Sequence, residues 1–268
     1  MKKTTAVIGL LVSLMQIGQP LLVRTSAVLI SSVFILSVPT RTQAESASVY
    51  FNRAYQKGEE GDYYGAISDY TKAIELDPEY ENAYFNRAID KGSLGDEYGA
   101  ISDFSKVIKI NPKNANAYAS RCGSKVNIGM NEEAIEDCET ALEIKNHNLY
   151  ISLEEDTVYS NLCGAKLNLK KYKEAILYCE KALQLNSNDD LAYYNRAVIK
   201  SLDISDEYGA ISDYNKAIKI NNGNSFYYAG RGLSKGNLGD MKGACSDWRK
   251  ASSLGHADAS KWVRNHCD

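Results

Sequence analysis

Histidine and proline are scarce in this chain, with three of the one and four of the other in 268 residues. His147, His256 and His266 leave general acid–base chemistry, which most often uses imidazole, thinly supplied. So few prolines, beside 24% charged residues, exclude a collagen-like fibre and argue against disorder. A surplus of positive charge is also missing. The first 44 residues carry Lys2, Lys3, Arg24 and Arg41 and no acid; the remainder has 27 basic against 34 acidic residues, a formal charge of -7. Sequence-independent phosphate binding needs a basic footprint, so nucleic acid is not an expected partner. Val, Ile and Leu never gather into the alternating runs of an all-β fold. Neither His-Glu-x-x-His nor Gly-x-Ser-x-Gly occurs. The glycine-rich stretch 230–236 follows no strand and is not a phosphate loop. The chain is therefore expected not to be an enzyme, and to use no cofactor, metal or small-molecule substrate.

Two apolar runs, residues 6–17 and 27–38, precede a Thr42-Gln43-Ala44 segment. Each is shorter than the ~20 residues a spanning helix needs and falls in the range of a signal-peptide core. Small residues three before and immediately before a cut after Ala44 fit a cleaved export signal. A start at Met15 would give that signal an ordinary length. An uncleaved membrane tether through residues 1–44 is the alternative. No Cys precedes residue 122, which excludes a lipid-modified N-terminal cysteine.

Beyond this address the chain repeats itself. Tyr50-Phe51-Asn52-Arg53-Ala54 returns as Tyr84-Phe85-Asn86-Arg87-Ala88 and as Tyr193-Tyr194-Asn195-Arg196-Ala197. The period is near 34, and six units run 47–80, 81–114, 115–148, 156–189, 190–224 and 225–258. Seven residues, 149–155, separate the third and fourth, and one extra residue lies within 201–205. Each unit reads as two helices. Apolar places recur at helical spacing, Gly61 breaks the first run, Asp62 can cap the second, and Asp77-Pro78 ends it. Ala66, Ala100, Ala134, Ala175, Ala210 and Ala244 hold one place in all six units and keep the paired helices close.

In period and spacing, residues 47–258 resemble the tetratricopeptide-repeat family. Tyr stands where that family usually has a first-helix Trp, and the trailing Pro survives only as Pro78 and Pro112. The resemblance implies an all-α fold: a right-handed α-solenoid of six helix-turn-helix hairpins. Residues 259–268, with Trp262, read as a capping helix over the exposed end.

Comparing units suggests two pairings. Ala54, Ala88, Cys122, Cys163, Ala197 and Gly232 share one place; Tyr70, Phe104, Cys138, Cys179, Tyr214 and Trp248 share another, nearly mirror-related about the interhelix turn. Four units set small against aromatic and two set Cys against Cys, which predicts bonds Cys122–Cys138 and Cys163–Cys179. Each closes a loop of about 15 residues, worth roughly 3 kcal/mol in the chain-entropy account. Cys245 and Cys267 would tie the last hairpin to the cap. Small buried thiols are the alternative; zinc is disfavoured because no close Cys pair exists. The second pairing is ionic and structural: Arg53 with Asp69, Arg87 with Asp103, Arg121 with Asp137, Arg196 with Asp213, Arg231 with Asp247. In the fourth unit both charges are lost together, to Leu162 and Tyr178. Lys57, Lys91, Lys125, Lys166, Lys200 and Lys235 read as a solvated stripe, and the histidines as surface residues.

The family's first helices line a concave face where extended peptides or partner helices commonly lie. The place before the arginines carries Asn52, Asn86, Asn161 and Asn195, a row resembling the asparagine ladder of O-linked N-acetylglucosamine transferases. An amide both donates to and accepts from a peptide unit; asparagines merely in solvent are the alternative. Phe51, Tyr55, Phe85, Ile89 and Tyr194 flank the row. The Lys/Arg clamp that one subclass uses for C-terminal carboxylates is missing. The expectation is an exported, extracytoplasmic scaffold or adaptor that binds a peptide segment or protein partner in its groove. A membrane-tethered assembly subunit acting through its convex face or cap is the alternative.

Overall fold

The computed structural model describes residues 46–148 and 152–267. The expected export signal or tether lies outside the described residues, as does part of the 149–155 spacer. Thirteen α-helices and no strand occur among those described. They are α1 (Ala47–Glu59), α2 (Tyr63–Leu76), α3 (Glu81–Ser93), α4 (Glu97–Ile110), α5 (Ala115–Asn127), α6 (Asn131–His147) and α7 (Glu155–Asn168). There follow α8 (Tyr172–Leu185), α9 (Asp190–Ile199), α10 (Glu207–Ile220), α11 (Ser225–Asn237), α12 (Met241–Ser253) and α13 (Ala259–His266). Each odd helix pairs with the next even one, and successive pairs stack into an α-solenoid.

Local chemistry sets these boundaries. Within a hairpin the chain turns at Gly61, Gly95, Gly129 and Gly239, all with φ of 80° to 83°, where a Cβ is disfavoured. The fourth hairpin makes the same turn with Lys170 at φ 58°. Asp62, Asp96, Asp206 and Asp240 then cap α2, α4, α10 and α12 by accepting from the amides of Gly65, Gly99, Gly209 and Gly243. The capping carboxylate lies so close over each of these glycines that a Cβ there would collide with it. The recurrent Asp-x-x-Gly is thus a single device.

Alanine makes the interior. Ala66, Ala100, Ala134, Ala175, Ala210 and Ala244 are buried in their hairpins, as are Ala73, Val107, Ala141, Ala182, Ala217 and Ala251. The extra residue of the fifth unit is absorbed as a π-helical turn, Lys200–Ile204, closed by Ser205 at φ 56°. At the far end α13 lays Trp262 and Val263 over Trp248 and Ala244. His256 is not a simple surface residue: its ring packs between Phe226 and Trp262, with centroids 5.0 and 5.4 Å away. The contact with Trp262 arises only once α13 is docked. Disulfides join Cys122 to Cys138, Cys163 to Cys179 and Cys245 to Cys267, with Cα–Cα distances of 5.5, 5.2 and 5.6 Å.

Candidate functional site

Helical periodicity decides where each first-helix side chain points. Arg53, Arg87, Arg121, Arg196 and Arg231 turn toward their own second helix. Their Nε and Nη2 donate to both oxygens of Asp69, Asp103, Asp137, Asp213 and Asp247 at 2.6–2.9 Å. Lysine four residues on lies one turn along the same face. Lys57, Lys91, Lys125, Lys200 and Lys235 bring Nζ to 2.7–2.8 Å from the same carboxylates. These lysines are therefore not a solvated stripe; Lys125 and Lys166 are buried. A buried carboxylate has lone pairs to spare after one guanidinium, and the second cation fills them.

The carboxylates respond accordingly. Burial pushes Asp213 up, but the bonds from Arg196 and Lys200 outweigh it and hold the group below the usual carboxylate range. Asp69 is held lower still, chiefly by its bond from Arg53. In the fourth hairpin Leu162 is buried, Tyr178 stacks on Tyr159, and Lys166 turns to Glu174 at 2.8 Å.

The residue before each arginine points about 100° further round the helix, toward the preceding first helix. Asn161 lies over Gly123 and Asn195 over Gly164; a Cβ on these glycines would stand 3.2 and 3.4 Å from the amide nitrogens. Asn86 instead lines a small cavity with Tyr70, and Asn52 is exposed on α1. The four asparagines therefore follow one seam in three different environments. In the sixth unit Gly230 takes this place because the Tyr214 ring fills it: a Cβ would approach within 2.5 Å of the phenol.

Three units plug the inside of the hairpin with an aromatic pair: Phe51 with Tyr70, Phe85 with Phe104, Tyr194 with Tyr214, at 5.5–6.0 Å. In the third and fourth units those places hold Ala119 with Cys138 and Ser160 with Cys179, and a disulfide closes each hairpin instead. Beside the third and fourth first helices lies a cavity of about 730 Å³. Phe85, Ile89, Ser120, Gly123 and Asn161 line it, and among the described residues Glu154 is the only charged side chain on its wall.

The other expected groove residues separate. Tyr194 lines a second cavity with Phe226, His256 and Trp262. Tyr55 and Asn86 line a third with Asp90, and Ile89 reaches both this one and the first. Phe51 lines none of these; it stacks on Tyr80 at 5.0 Å and packs into the core. Gly123, Gly164 and Asp90 were missed by sequence reasoning. The signal available was the contrast between units: Tyr55, Ile89, Gly123, Gly164, Val198 and Leu233 share one place, and glycine occurs only in the two disulfide-closed units.

Residues 59–89 match a family model described as TPR repeat, and residues 157–189 one described as tetratricopeptide repeat. No curated protein matches the chain significantly. Among solved structures, the chain is similar to PilF of Pseudomonas aeruginosa, with a TM-score of 0.65 and 20% identity over 82% of this chain and 97% of that one. A tetratricopeptide-repeat protein of Parabacteroides merdae gives a TM-score of 0.63 and 18% identity over 83% and 84%. PilW, described as a type IV pilus biogenesis factor, gives 0.68 and 15% over 81% and 98%. At these identities the likeness is one of fold.

Proposed function

The chain is a tetratricopeptide-repeat protein, and we propose that it is an extracytoplasmic scaffold holding an extended peptide segment of a protein partner along its first helices. The observation that carries this reading is the central cavity. Its wall offers amides, hydroxyls and apolar surface, while the cations of the neighbouring hairpins are neutralised within the fold. Such a surface matches an uncharged backbone, not an anion. Asn161 and Asn195, with Asn86 and Asn52 farther along, supply a spaced row of paired donors and acceptors. Phe85 and Ile89 supply apolar contact.

Three disulfides and no free cysteine among the described residues suit an oxidising compartment. The apolar segments ahead of residue 45 supply the export route. PilW, similar in fold and described as a type IV pilus biogenesis factor, is the precedent for an assembly role, by analogy of fold.

The test is partner capture from an envelope fraction by crosslinking. Replacing Asn52, Asn86, Asn161 and Asn195 by Ala is expected to weaken capture and leave thermal stability little changed. Unchanged capture refutes the ladder.

One observation favours a second reading, a tethered subunit working through its outer face. Tyr64, Tyr98 and Tyr208, each the second residue of its helix, stand 73–77% exposed. Fractionation separates the readings, since a soluble protein beginning at Glu45 excludes the tether.

A further inference from the structure

The tenth place of each unit holds Gln56, Asp90, Ser124, Ala165, Ile199 and Ser234; all of these but Gln56, on the first helix, are buried. Only the second unit puts a charge there. Asp90 is 7% exposed, and its Oδ2 is buried with no hydrogen-bond partner among the described residues. A buried ionised carboxylate without a partner is costly and calls for an explanation.

None of the neighbouring cations answers it. Arg53 and Lys57 are bound to Asp69, and Arg87 and Lys91 to Asp103. The carboxylate instead faces a cavity of about 220 Å³ between α1, α2 and α3. Gly58 forms part of this wall: a Cβ there would stand 3.4 Å from Asp90 Oδ1. The titratable groups that line it are Tyr55 and Glu59 from α1, Tyr63 and Tyr70 from α2, and Asp90 itself. Asn86 and Ser93 add polar atoms, and among the described residues no Lys, Arg or His lines it.

We propose that Asp90, with Glu59 and the rings of Tyr55, Tyr63 and Tyr70, forms a pocket for the ammonium group of a lysine side chain on the bound peptide. The proposal rests on the groove reading above and adds to it the chemistry of one anchor. An ammonium is a compact charge with three donors. The unpaired Asp90 oxygen, the Tyr70 hydroxyl and the Asn86 amide oxygen can accept them, and tyrosine faces attract a cation. Burial pushes the Asp90 carboxyl up to about 6, so an arriving cation restores its ionised form and the preference for lysine fades in acid.

The test begins with a random twelve-residue peptide library displayed on phage and selected on the disulfide-bonded protein. Wild type is expected to enrich peptides with lysine at one fixed position; Asp90→Asn should not. A selected peptide, N-terminally acetylated to exclude its α-amine, is then measured by fluorescence anisotropy. Lysine to norleucine should weaken binding at least tenfold on wild type and no more than twofold on Asp90→Asn. Shifting from pH 7.5 to 5 should erase most of the wild-type preference. If Asp90→Asn folds poorly by circular dichroism, Tyr55→Ala, at an exposed rim position, is expected to show the same loss of lysine preference. Enriched peptides with no fixed lysine, or an equal norleucine penalty on both proteins, overturn the pocket and leave the groove standing. Failure of wild type to enrich any peptide above a bare-plate control overturns both.

Discussion

Arg121 Nη1 donates to Ser105 Oγ, one hairpin upstream, at 2.9 Å, while its other nitrogens hold Asp137 in its own hairpin. Arg87 does the same with Thr71 and Arg231 with Asn215. One guanidinium thus closes its hairpin and ties it to its neighbour, which is why a five-donor cation occupies this place.

From this follows a mutational asymmetry. Asp137→Asn leaves Arg121 and Lys125 part-buried without their anion and is expected to cost about 3–5 kcal/mol. The double change Arg121→Leu with Asp137→Tyr copies Leu162 and Tyr178 and should cost much less. Lys125 retains a recourse, because Glu133 holds the place of Glu174, the partner of Lys166. Lys125 already donates to the Glu133 carbonyl at 3.2 Å. Urea denaturation of the two variants checks the difference; a double variant as unstable as Asp137→Asn would refute it.

A different pair of residues governs the cavity. In the second hairpin Ala88 faces Phe104; in the third Cys122 is bonded to Cys138. The variant Cys122→Ala with Cys138→Phe is expected to fold, recovering in ring burial part of the roughly 3 kcal/mol assigned to the bond. Its thermal midpoint should lie above that of Cys122→Ala with Cys138→Ala. The new ring would meet Ala119 instead of an aromatic partner and project toward the cavity, so peptide binding should fall at least tenfold. A folded variant that binds as wild type would detach the cavity from the function.

Two kinds of carboxylate give stability opposite dependences on pH. Asp69 and Asp213 have folded pKa values below their ordinary ones. Their stabilisation is complete above the unfolded value near 4 and is lost as pH falls below it. Asp90 has a folded value of about 6, above its ordinary one. Its contribution is complete below about 4 and is lost as pH rises through 6. The described groups facing it, Glu59 and the three tyrosines, include no cation to offset this. Unliganded wild type should therefore melt higher at pH 5 than at pH 7.5, then lose stability below pH 4. Asp90→Asn should remove the rise and keep the acid loss. Melting curves across that range decide it, and an unchanged rise in Asp90→Asn would assign the effect elsewhere.

The repeating 34-residue pattern, its turn glycines and its rows of alanine were enough to determine an all-α stack of hairpins. The information is local: an Asp-x-x-Gly cap, a left-handed turn and an apolar stripe act within a few residues. Arg and Asp could be matched from the sequence because the fourth unit loses both together. The lysines could not, because a cation at helical spacing looks the same whether it meets water or a shared buried acid. Packing across units decided the rest. Whether Asn161 stands in solvent or lies on Gly123 depends on how closely two first helices approach. Whether Asp90 is paired depends on which cations its neighbours have already taken. Such contacts join residues about 30 or more apart in the chain, and each side chain there competes with others for the same space, so only the assembled superhelix sets its surroundings.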